Sequence, residues 1–268
     1  MPSAVDQLGI VPLHASFCAE VRGVDFSQPV PLHVIAQVQA ALDKHGVLVF
    51  RKTGVVNDRV QIEFAAQFGP LDGMEPHIKA GRKMRLPDKE MFDYLDAQAA
   101  YDDLPTATEI KIHNLVGNHS MMHNRKLAAP DIYEAINPID VAFSKHKLVV
   151  PHRNGRNTLY ITSYIHNING WDNINENDDI GNDAAAAELM NELFAHADQP
   201  KYTYLMPWKN DTDLIMWDNT AALNRATGEQ YLTKHARDMR RTTSHDVGKH
   251  GMGLNAEPFR QGLPIAKS

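Results

Sequence analysis

The chain has 268 residues, 43% hydrophobic and 22% charged, an ordinary globular composition with enough apolar material for a core. Its net charge of -6, without a block of roughly five like charges, leaves no electrostatic footprint for nucleic acid or an anionic membrane, so the expected partner is a small molecule. The single cysteine, Cys18, allows no internal disulfide, and no run of about 18 apolar residues or leader-like start is present, so one cytoplasmic domain over residues 1–268 is expected.

Between Pro31 and His45 the residues Val34, Ile35, Val38 and Leu42 recur at helical spacing, and Gly46 follows where a left-handed turn ends a helix. The next run, GVLVF from Gly46 to Phe50, is continuous and apolar, which predicts a strand covered on both faces. Asn57 is placed to cap a second helix carrying Val60, Phe64 and Phe68 and ending at Gly69 before Pro70. Further on, LVVPH (Leu148 to His152) and NTLYITSYIH (Asn157 to His166) are β-branched and aromatic and read as strands. The acidic stretch from Asp172 to Asp183 reads as a solvated loop, because Asn177 and Asp183 are not the glycine and glutamate that a calcium loop needs there. A third helix is predicted between Asp183 and His196, with Pro200 at its exit, and TDLIMW (Thr212 to Trp217) as a strand. The pattern is α+β, with helices early and a sheet of non-contiguous strands.

Fourteen histidines raise the question of a metal, since a non-haem iron site needs two imidazoles and one carboxylate. The one His-x-Asp triplet, His196-Ala197-Asp198, falls at a helix end, where alternate residues diverge and a histidine favours the dipole. His119 and His123 are four apart and would share a face on a helix, but no glutamate follows His119 and no third ligand stands out. Ser163 and Ser244 lack a nucleophile elbow, and Cys18 lacks a supporting motif. In ARDMRRTTSHD, Ala236 to Asp246, Arg237 and Arg241 are spaced to share a face, either as a fork for a dicarboxylate or as a charged sheet rim.

Taken in order, HGVLVFRKT, FAAQFGPLD, AAYDDLP, NHSMMHNRKLAAPD, HKLVVPHRNGRNTLYI, LFAHADQPKYTY, DLIMWDNTAALNRA and RDMRRTT resemble the TauD/TfdA family of Fe(II)- and 2-oxoglutarate-dependent dioxygenases, in particular its fungal-type branch. The resemblance implies a double-stranded β-helix, or jelly roll, with flanking helices, whose mouth holds iron, 2-oxoglutarate and a substrate. It also implies positions from which this chain departs. The distal metal histidine corresponds to Asn224 in Leu223-Asn224-Arg225, a vestigial position. The interval from Gly73 to Gln98 holds no His-x-Asp, is short by one or two strands, and puts Phe92 where the family has a threonine that helps hold 2-oxoglutarate. Tyr164 and Asn167, in SYIHNING, stand where related chains are richer in histidine. The arginines persist: Arg237 matches the residue pairing with the distal carboxylate of 2-oxoglutarate, and Arg241 the second arginine of that strand.

The expectation is therefore a catalytically impaired homologue with no metal ligands and a residual site for a small carboxylate. Two alternatives stand beside it. One is an active oxidoreductase with a rearranged set such as His119, His123 and a carboxylate. The other is a structural or regulatory subunit whose open sheet edge is covered by a catalytic relative or by a second copy.

Overall fold

The structure is a computed structural model that describes residues 7–71, 91–128, 130–135, 137–169, 184–227, 240–248, 251 and 253–255. In chain order its elements are β1 (Gly9–Pro12), β2 (Ala19–Arg22), α1 (Leu32–His45), β3 (Val47–Phe50), α2 (Asp58–Ala65), β4 (Met91–Asp96), α3 (Ala97–Asp102), α4 (Thr106–Ile112), β5 (Val116–His119), α5 (Met121–Ala128) and α6 (Pro130–Tyr133). They continue with β6 (Ser144–Lys147), β7 (Val149–Pro151), β8 (Asn157–Leu159), β9 (Ile165–Asn169), α7 (Ala184–Ala197), β10 (Thr203–Met206), β11 (Leu214–Trp217) and β12 (Ala222–Thr227). Two compact units divide them: Met1–Asp96 with Pro200–Val247, and Ala97–Gln199 with Gly248–Ser268.

The first unit is organised around β3. Helix α1 ends as expected, with Gly46 at φ 66° and its N–H donating to the Leu42 carbonyl at 2.7 Å. The chain turns directly into β3, all four residues of which are buried. That strand pairs parallel with β2 and antiparallel with β11, in a sheet of order β1-β2-β3-β11. Its side chains alternate between two cores. Leu48 and Phe50 pack with Val34, Ile35, Val38 and Leu42 of α1 and Phe64 of α2, while Val47 and Val49 pack with Tyr94 of β4, Met206 of β10 and Ala222 of β12. A strand with both faces covered has no need of a polar face, which is why its sequence reads as an unbroken apolar run.

Asn57 caps α2, its side chain accepting from the Arg59 N–H at 2.9 Å. The helix stops at Ala65, and a single 3-10 turn, Ala66–Phe68, completes the segment expected to be helical as far as Gly69. Phe26, Phe50 and Phe64 meet edge to face with centroids 5.1–5.9 Å apart, and Phe68 joins through Phe64 at 5.2 Å. Opposite this core, β10-β4-β12 form a second, antiparallel sheet.

The second unit holds a three-stranded sheet, β6-β5-β9, and a β7-β8 hairpin. Here one expectation is corrected: the strand foreseen from Asn157 to His166 is two strands, β8 and β9. Between them Thr162 makes a turn, its hydroxyl accepting from the Tyr164 N–H at 3.1 Å and its carbonyl from the Ile165 N–H at 3.1 Å. Helix α7 buries Ala186, Leu189, Met190, Leu193 and Ala197 along one stripe. The loop foreseen from Asp172 to Asp183 lies outside the described residues.

Candidate functional site

The position of interest is Asn224. It lies on β12 directly opposite Tyr94 of β4, and Tyr94 is in turn opposite Tyr204 of β10. Residues paired directly across antiparallel strands project to the same face, so Tyr204, Tyr94 and Asn224 form a row on the side of the sheet that faces β3. Tyr94 is fully buried, its ring 5.7 Å from that of Trp217. Cys18 and Met206 complete the packing around it, and Asn224 itself is half-buried.

Ionisation is disfavoured around Tyr94. Burial raises the Cys18 thiol far above its ordinary range, with the Asp96 carboxylate adding to the effect. Burial raises the Tyr94 phenol as well, Cys18 adds to the rise, and Arg241 opposes it. Tyr204 shifts upward too, mainly by burial. Asp96 is buried and, two residues along from Tyr94, belongs to the same face. Asp93 belongs to the other face, where it accepts from Arg225 at 3.1 Å across their register pair.

Arg241 sits in a segment fastened to α2 and its exit. The Ser244 hydroxyl donates to the Ala65 carbonyl at 2.7 Å, the His245 N–H donates to the Pro70 carbonyl at 2.8 Å, and Ser244 bridges Leu71. Arg240 is turned to α2, pairing with Asp58, while its carbonyl accepts from Gln61. Arg241 is exposed, yet near enough to Tyr94 to act on its charge. Arg237 lies outside the described residues.

The histidines separate into pairs that their spacing does not suggest. His119 ends strand β5, and the Ser120 hydroxyl then accepts from the His123 N–H at 3.1 Å, starting α5. The two are therefore not on one helical face. Instead His119 meets His146 at 5.6 Å between centroids, and His123 meets His166 at 4.9 Å. His196 is on α7, its Nε2 2.8 Å from the Ala100 carbonyl, a structural tie within the second unit. Among the described residues no three His, Cys, Asp or Glu side chains converge as a metal centre. Sequence reading missed Tyr94 as the residue opposite Asn224, and Asp96, Tyr204 and Cys18 as groups placed around Tyr94. Alternation along MFDYLD would have found the first two once β4 was recognised as a strand.

An α+β scaffold with a carboxamide and a buried phenol opposed on its inner sheet, and an arginine held nearby, is the class of site defined here. The family model for taurine catabolism dioxygenase TauD and TfdA matches residues 9–94 and 93–243, in two segments meeting within β4. The alpha-ketoglutarate-dependent 2,4-dichlorophenoxyacetate dioxygenase of Burkholderia sp. (strain RASC) is 31% identical over 290 residues, covering 87% of this chain and 92% of that protein. The enzyme of the same name from Cupriavidus pinatubonensis is 25% identical over 293 residues, covering 88% and 96%. That alignment is longer than the 268 residues of this chain, so the relative carries segments that this chain lacks. Among solved structures, AAD-2 in complex with Mn(II) and N-oxalylglycine superimposes with a TM-score of 0.73 at 26% identity, covering 90% of this chain and 98% of that one. A Burkholderia xenovorans protein named as a candidate alpha-ketoglutarate dependent 2,4-D dioxygenase gives 0.72 at 26%, covering 89% and 97%. The chain belongs to the TauD/TfdA family of 2-oxoglutarate-dependent dioxygenases.

Proposed function

We propose that this chain is a non-catalytic TauD/TfdA homologue, a single jelly-roll domain short of one or two strands, which has lost its iron triad and keeps an arginine site for a small carboxylate of the 2-oxoglutarate type. The observation that carries the reading is the opposition of Asn224 and Tyr94 across β12 and β4. A neutral carboxamide and a phenol whose ionisation is suppressed are poor substitutes for imidazole and carboxylate as ligands to Fe(II). The described residues therefore do not fit the family's metal. The family match breaks within β4, inside the interval from Gly73 to Gln98 that lacks His-x-Asp, which supports a deletion there. Phe92, in the same strand, offers no hydroxyl for 2-oxoglutarate. Arg241 and Arg237 are the groups left for a carboxylate, and a second copy or partner chain covers the sheet edge that the shortened interval leaves open.

The test is anaerobic Fe(II) titration of the purified chain, with succinate formation from 2-oxoglutarate measured in parallel. No iron binding tighter than millimolar and no succinate are expected, alongside 2-oxoglutarate binding that weakens in Arg241→Ala. Micromolar Fe(II) binding with turnover overturns the reading. Asn224→His by itself is expected to leave turnover absent, because the His-x-Asp pair is also missing.

A further inference from the structure

The second unit carries two imidazole pairs, and they are built differently. In the first, each ring has a hydroxyl partner: His119 Nδ1 lies 3.0 Å from Thr162 Oγ1, and His146 Nε2 lies 2.9 Å from Ser144 Oγ. In the second, the rings address each other. His123 Nδ1 and His166 Nδ1 are 3.2 Å apart, with their planes inclined at 66°.

We propose that His123 and His166 form a two-imidazole site for a divalent transition-metal ion of the zinc, nickel and copper class. Metal–imidazole bonds are about 2.0–2.1 Å long, so two donor nitrogens 3.2 Å apart subtend an angle of roughly 100° at a shared ion, between square and tetrahedral values. Imidazole nitrogen is a preferred donor for these ions.

Both rings are fixed by their surroundings. Phe143 stacks on His166 at 5.3 Å and 25°, and the Ser120 hydroxyl holds the His123 backbone at the start of α5. A bulge in β9 sets the place of His166, because β5 pairs Asn118 with Asn167 and His119 with Ile165, leaving His166 as the extra residue. Without metal, one Nδ1–H donates to the other Nδ1. Loading needs that proton to move to Nε2, so both Nδ1 lone pairs face the ion. No group of three protein donors converges among the described residues, so water completes the coordination shell and the ion exchanges readily. The site lies in the unit that does not contain Asn224, and it is independent of the proposed function.

The test uses the full chain with one equivalent of Cu(II), read by electron paramagnetic resonance and by competition with a chelator. Two coordinated imidazole nitrogens are expected in the wild-type spectrum. His123→Ala, with its native fold checked by near-ultraviolet circular dichroism, is expected to lose one nitrogen and at least tenfold in affinity, whereas His33→Ala changes neither. Unchanged affinity in folded His123→Ala means that the histidines are a hydrogen-bonded pair only, and it overturns the proposal. Should His123→Ala lose its fold, the wild-type spectrum decides: two nitrogens at one equivalent support the site, and one or none overturns it.

Discussion

Removing the Asp213 carboxylate tests how the first unit is held together. The carboxylate is shielded from solvent and accepts from Arg51 Nη1 at 2.6 Å. It also accepts from the N–H groups of Lys52, Lys209 and Asn210 and from the Asn210 side chain, at 2.9–3.1 Å. Burial by itself would raise its pKa, but these donors outweigh burial and lower it to about 2. Asp213→Ala leaves a largely buried guanidinium without its partner, a change that costs about 3–5 kcal/mol, more than a lost surface pair by several-fold. For a chain of this size the corresponding fall in Tm is on the order of 10 °C. Urea denaturation followed by tryptophan fluorescence measures it, with Asp213→Asn as the milder comparison because it keeps part of the hydrogen bonding. A loss below about 1 kcal/mol for Asp213→Ala would refute the reading of Asp213 and Arg51 as a buried, strongly coupled pair.

Phe64→Ala opens a cavity where three phenyl rings meet, and a loss of about 3–5 kcal/mol in the same urea titration is expected. Cys18, buried and with its thiol pushed far up, is expected to resist Ellman's reagent at pH 8 until denaturant is added; rapid labelling of the native chain contradicts its placement. His119 is held neutral, first by burial and then by the charge of His146, so that its pKa falls from 6.5 to about 3. Between those values the unfolded chain binds a proton that the folded chain does not, so its contribution is complete above pH 6.5 and declines as the pH drops through that window. His119→Gln is therefore expected to flatten the acid limb of Tm against pH, and an unaltered limb counts against the assignment.

Where sequence and fold agree, the local pattern was strong and undisturbed. Helix α1 declares itself through its apolar stripe and Gly46, and β3 through a run that two cores cover. Strands β4 and β12 were harder to foresee. Asp93 and Arg225 interrupt their apolar character, and only the pairing across the sheet shows that these charges satisfy each other. The histidine partnerships were hidden for another reason. Whether His119 and His123 share a face depends on where a helix begins, and the Ser120 hydroxyl places that start after His119. Asn224 was singled out through the family resemblance alone, and its opposition to Tyr94 was not legible, because register is a property of two strands and a one-residue shift exchanges faces.

The first unit is assembled from two separated stretches of chain, and this bears on its synthesis. The partners that complete β3 and flank β4, namely β11, β10 and β12, are all encoded after residue 200. A ribosome that has released only the earlier part therefore presents β3 with one bare edge and β4 with two. During that interval the nascent polypeptide is most open to chaperone capture or to pairing with a neighbouring molecule.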